Sequence, residues 1–152
     1  MIFLLFAVTI FSKDRKEDEP IVIGGGSCAY SPEPLWEFVD AFNIGDGEKS
    51  LKLICEKILE YKKSGLKRKE IIKKLSEIDG VYVPALYKTD GGFSCPKPIN
   101  NAPKTINKQN VNLDDEDFPT NFPVPLSPSV HDRVVVELRR GCGRMCRFCQ
   151  AC

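Results

Sequence analysis

The sequence predicts an α/β protein whose last stretch leads into a cysteine-rich loop. Three observations carry this. Two short apolar runs, Ile21–Ile23 and Ala41–Ile44, each end in glycines and are followed by the start of a helix. A strand that runs into a glycine loop and then a helix is the α/β pattern, and such folds bind ligands at the carboxyl ends of their strands. Leu51, Ile54, Cys55, Ile58 and Leu59 recur at the 3.6-residue spacing of an amphipathic helix. Four of the seven cysteines crowd between Cys142 and Cys152, directly after a third apolar run, Val134–Leu138.

Composition bounds the rest. A chain of 152 residues is enough for one ordinary domain. Its 22 basic and 21 acidic residues nearly cancel, so no global field draws in nucleic acid or an anionic membrane. An odd number of cysteines without a secretion pattern argues for a reducing cytoplasm. Met1–Phe11 is apolar but only eleven residues long, short of the roughly 20 that span a bilayer. It has no basic leader and no small-residue cleavage site, and is expected to be a core strand or helix end rather than an anchor.

In order, Ser12–Glu19 is dense in charge and is expected to be a solvated connection. Pro20–Ile23 is the first strand, ending in Gly24-Gly25-Gly26. Ser31-Pro32 offers a cap and a proline for the start of a helix over 32–40, with Leu35, Trp36 and Val39 facing the core. Ala41–Ile44 is the second strand, ending in Gly45-Asp46-Gly47. The helix through Leu51 and Leu59 follows, with Cys55 on its core face and Ser64-Gly65 at its end. Ile71, Ile72, Leu75 and Ile78 mark a second helix, whose lysines are expected to be a solvated face because no aromatics are interleaved for base stacking. Val81–Pro84 is extended. From 88 to 128 lie seven of the eleven prolines and the acidic run 114–117, the composition of a linker or wrapping arm. Cys95 has no nearby partner there. The lone His131 is expected to be structural, with its closeness to the cysteine loop noted.

Cys142, Cys146 and Cys149 are spaced C-x3-C-x2-C. Thiolates this close cannot all pair as disulfides without strain, but they can converge on a soft metal centre. Gly141 and Gly143 loosen the backbone around them. Three alternatives stand beside an iron–sulfur reading. The cysteines could be structural. They could bind zinc, although structural zinc usually takes two separated pairs. Cys146, Cys149 and Cys152 could also be the C-x2-C-x2-C opening of a ferredoxin run.

An apolar strand ending in Arg140-Gly141-Cys142, then C-x3-C-x2-C with Phe148 before the last cysteine, resembles the radical S-adenosylmethionine (radical SAM) enzymes. The resemblance implies a [4Fe-4S] cluster on Cys142, Cys146 and Cys149, and an open iron that chelates S-adenosylmethionine. It also implies Phe148 near the adenine, and one-electron cleavage to methionine and a 5′-deoxyadenosyl radical. It implies an electron donor of flavodoxin or ferredoxin type. The substrate stays open, because methyl transfer, methylthiolation of tRNA and ring rearrangement all begin from such a loop. Cys152 departs from the pattern, where glycine is usual.

Ile21–Leu35, with Ile44-Gly45-Asp46-Gly47-Glu48, resembles the latter half of the cobalamin-binding domain that precedes the barrel in one branch of this family. Val81–Pro84 and His131–Arg133 resemble that branch's connecting region. The resemblance implies the C-terminal half of a Rossmann- or flavodoxin-like domain over 1–80 and a proline-rich linker over 81–132. The first strand and cluster loop of a (β/α) barrel would then occupy 133–152. It would place Gly24, Gly25, Gly26, Gly45 and Gly47 near a cobalamin nucleotide tail. The D-x-H-x-x-G motif whose histidine ligates cobalt is absent, which counts against cobalamin. The expectation is a fragment cut at both ends, without turnover of its own.

Overall fold

The structure, a computed structural model, describes residues 8–89, 95–99, 101–116, 121, 126–127, 133 and 136–149. The chain divides into two units, Met1–Asn110 and Val111–Cys152.

The first unit is built on a three-stranded sheet. β1 (Ile23–Gly24) pairs parallel with β2 (Ala41–Asn43), and β2 pairs antiparallel with β3 (Val81–Tyr82). The register sets Gly24 beside Phe42 and Phe42 beside Tyr82. β2 is central and wholly buried, as Ala41 and Phe42 favour, and it carries the polar Asn43 inside with them. Between β2 and β3 run α1 (Ser50–Lys63) and α2 (Arg68–Leu75). Ile54 of α1 and Ile71 and Leu75 of α2 are buried, and Ile54 and Leu75 join Ala41, Phe42, Val81 and Val83 in the core. α2 starts where the Lys67 N–H donates to the Glu70 carboxylate.

The α1 face is narrower than its periodicity implies. Ile54 is fully buried and Ile58 partly so, but Leu51 and Leu59 are 47% and 59% exposed, and Cys55 is exposed rather than core. The expected helix over 32–40 is a single 3-10 turn, Glu33–Leu35, followed by i→i−3 bonds such as Phe38 N–H to the Leu35 carbonyl. Pro32 and Pro34 supply no N–H to extend an α ladder. Trp36 is consequently half-buried at the surface.

Ser12–Glu19 is exposed at Lys13, Asp14, Lys16, Glu17 and Asp18, as a solvated connection would be, but it is also tied down. Arg15 reaches back to Asp40, the residue before β2, and its side chain is 3% exposed. Arg68 of α2 meets the same carboxylate at 2.6 Å. The Ser12 hydroxyl and the Val22 N–H also donate to Asp40, at 2.5 and 2.7 Å. One buried carboxylate thus ties the N-terminal segment, β1 and α2 together. Of the expected core element at Met1–Phe11, Met1–Ala7 lies outside the described residues. Val8–Phe11 has no helix or strand, and Phe11 stacks on Phe38.

The proline-rich stretch begins as an arm on this unit. β4 (Tyr87–Lys88) pairs antiparallel with β5 (Lys97–Pro98). The Tyr87 hydroxyl donates to the Pro103 carbonyl, and Ala102 is buried. Gln109 then docks at the carboxyl end of β2. It donates to the Ile44 carbonyl and accepts from the Asp46 N–H, both at 2.9 Å.

The second unit has little regular structure among its described residues: one 3-10 turn, Leu113–Asp115, capped by Asn112. Val134 and Val135 lie outside the described residues. Val136 and Leu138 are 57% and 87% exposed, and no strand is formed over 136–140. β-branched residues favour extension, but a strand exists only when a neighbour completes its ladder. No described segment of this unit pairs with 136–140. No helix among the described residues is long and apolar enough to cross a membrane.

Candidate functional site

The cysteine loop is shaped by two left-handed backbone positions. Gly141, before Cys142, has φ 77°, and Met145, before Cys146, has φ 50°. Glycine takes that conformation without cost, but an unbranched side chain as large as methionine seldom does. The backbone bends at Gly141 and turns at 143–144, between the first two cysteines. The Cys149 N–H then donates to the Cys146 carbonyl at 3.0 Å. That bond closes a four-residue turn, which holds the two Cα atoms within about 7 Å.

Cys142 and Cys149 are exposed, Cys146 half-buried, and no disulfide joins the described cysteines. Among the described residues, no three histidine, cysteine or acidic side chains converge as a ligand set. Arg139, Arg140, Arg144 and Arg147 flank the cysteines in the sequence from 138 to 149, a span without Asp or Glu, and Glu137 stands just before it. Arg140 forks onto Glu137 at 2.8 and 2.9 Å. Phe148 is 92% exposed, a large apolar surface beside the last cysteine. His131 and Cys152 lie outside the described residues.

The glycines of the first unit divide by what faces them. A side chain at Gly24 would strike the Phe42 ring at 2.6 Å, so this glycine lets Phe42 pack across β1. At Gly45, with φ 100°, a Cβ would lie 2.2 Å from the Gln109 carbonyl oxygen. That position serves the arm. Gly26 has φ 95° and open space, and Gly25 and Gly47 have no close neighbour. These last three are the glycines of the carboxyl edge that a ligand could approach.

Two groups near this edge had no clear signal in the sequence. Asn43 Oδ1 and the Tyr82 hydroxyl are buried with no hydrogen-bond partner among the described residues. Burial, with Glu33 and Tyr87 adding smaller effects, pushes the Tyr82 hydroxyl up to about 12. Tyr82 lines a cavity of about 280 Å³ with Tyr30, Ile44, Ile106 and Lys108.

The family model for radical SAM proteins, N-terminal, matches residues 1–84. The chain belongs to this family. The radical SAM match covers the sheet, both helices and β3, and it stops before the cysteine loop. A curated relative, an uncharacterized protein of Methanocaldococcus jannaschii, is 27% identical over 142 residues. The alignment covers 91% of this chain and 26% of the relative, so the chain spans about a quarter of that protein's length. No solved structure matches.

Proposed function

We propose that this chain is the section of a radical SAM enzyme that joins a cobalamin-binding-like α/β domain to the first strand and cluster loop of the catalytic barrel. Cys142, Cys146 and Cys149 would hold a [4Fe-4S] cluster with one iron open to S-adenosylmethionine. The observation that carries this reading is the loop itself, three thiols at C-x3-C-x2-C with left-handed residues before Cys142 and Cys146 and a turn joining Cys146 to Cys149. The family match upstream supports it, because the N-terminal region and the loop stand in the order the full enzyme requires.

When bound, the cluster supplies the electron that cleaves S-adenosylmethionine. The chain's own residues do the rest of the work proposed here. The turn presents Cys146 and Cys149 to the same centre. The arginines offset the negative charge of three thiolates. Phe148 offers a ring against which an adenine stacks. A flavodoxin- or ferredoxin-type donor would deliver the electron. The substrate and the reaction of the whole protein are set by residues beyond this loop. A cobalamin tail would have Gly25, Gly26 and Gly47 open to it, whereas Gly24 and Gly45 are already filled by Phe42 and Gln109.

The test is electron paramagnetic resonance of the anaerobically reconstituted, dithionite-reduced chain with and without S-adenosylmethionine. The proposal expects a cluster signal that changes on addition of the cofactor. A signal indifferent to it favours a cluster closed by a fourth thiolate, as in ferredoxins, and loading with zinc instead of iron rules out both.

A further inference from the structure

A cavity of about 530 Å³ opens in the first unit, lined by none of the glycines discussed above. Its volume lies within the range of small-molecule pockets, about 300–1,000 Å³. Its walls are mainly apolar, with Trp36, Val39, Ile72, Val83, Leu86 and Ile99. Its charges are one-sided: Lys13, Arg15, Arg68, Lys69, Lys73 and Lys88 face it, against the single carboxylate of Glu37.

The arginines are built in. Arg15 and Arg68 are 3% and 5% exposed at the side chain and share one carboxylate, Asp40. Asp40 is the one carboxylate that both guanidinium groups touch, and Glu17 accepts from the Arg68 backbone N–H on the side away from the cavity lining, so the charge facing the cavity comes mainly from the arginines and lysines. The Arg68 Nη atoms donate to Asp40 and to the Glu19 carbonyl. Lys69, Lys73 and Lys88 are exposed. A purely apolar occupant would remove water from these cations and return nothing.

We propose that this cavity binds a small organic anion with an apolar body. The head group meets Arg68 and the lysines, and the body lies along Trp36 and Ile72. The proposal is independent of the cysteine loop and does not need a cluster.

Trp36 is the only tryptophan in the chain, so its fluorescence reports occupancy. The full chain is titrated with octanoate, octyl phosphate and octanol. Saturable change with octanoate or octyl phosphate supports the proposal, and their relative affinities separate a carboxylate head from a phosphate head. Octanol should bind about tenfold more weakly, the scale of one lost charge-assisted hydrogen bond. The exposed pair Lys69→Glu and Lys73→Glu should weaken anion binding by a similar factor. Lys52→Glu with Lys63→Glu, exposed on α1 away from the cavity, should leave it unchanged. The proposal is overturned if no ligand gives saturable change, if octanol matches the anions, or if the control pair loses as much as the cavity pair.

Discussion

Removing the Asp40 carboxylate should be the most damaging single change in the first unit. Its two oxygens accept from the Ser12 hydroxyl, the Val22 N–H and the Arg15 and Arg68 guanidinium groups, at 2.5 to 2.8 Å, and its side chain is fully buried. In Asp40→Ala both guanidinium groups stay buried and lose their counter-charge. Breaking a buried pair in this way costs about 3–5 kcal/mol. Against a typical domain stability of about 5–15 kcal/mol, that is a large share. Asp40→Asn keeps the volume but turns an NH₂ toward donors, so it should fall in the same range. The assay is urea unfolding followed by circular dichroism, where the midpoint should drop by about 1 M or more at unchanged slope. The triple variant Asp40→Leu, Arg15→Met, Arg68→Met should recover only part of the loss, because it removes the stranded charges but leaves the Val22 N–H and the Thr9, Ile10, Phe38 and Glu19 carbonyls without these partners. A loss below about 1 kcal/mol in Asp40→Ala would refute the reading of this residue as the tie between the N-terminal segment, β1 and α2.

Other changes test other parts. Gly45→Ala, forced to φ 100° against the Gln109 backbone, should cost more than about 2 kcal/mol, whereas Gly47→Ala should stay within about 0.5 kcal/mol; thermal melts compare the two. Tyr82→Phe removes a buried hydroxyl without a partner, so it should be neutral or stabilising by up to about 1 kcal/mol. Tyr82 ionises at about 12 in the fold against an ordinary 10, so its contribution is complete below pH 10 and is lost as pH rises through about 12. The Phe variant should therefore flatten the alkaline limb of stability over that window. Glu19 is held down to about 2, chiefly by the Lys16 N–H and then the Thr9 N–H. Its contribution is present above its ordinary 4.5 and is lost as pH falls through about 2, so Glu19→Gln should flatten the acid limb there.

The central strand and the two helices could be read from the sequence because local pattern and tertiary role agree, whereas the first strand, expected over Pro20–Ile23, is Ile23–Gly24. The run 41–44 is buried throughout, and its residues other than Asn43 are apolar. Where a partner decides the outcome, the sequence was silent. Arg15 and Arg68 look like ordinary surface charges until Asp40 is brought between them by the β1–β2 pairing. Gly45 reads as a ligand loop, and only the distant Gln109 shows what its missing side chain makes room for. The 32–40 stretch has helical apolar spacing, but two prolines cut its hydrogen bonding short. At the other end, the spacing of the cysteines was plain in the sequence. Their turn and the left-handed Met145 were not, since neither is a property of residue type.

The most direct measurement is the iron and sulfide content of the anaerobically reconstituted chain, compared across single alanine variants of Cys142, Cys146, Cys149 and Cys152. About four irons and four sulfides per chain should be retained with Cys152→Ala and lost with each of the other three. Retention in Cys142→Ala together with loss in Cys152→Ala would contradict the assignment and hand the cluster to the C-x2-C-x2-C set.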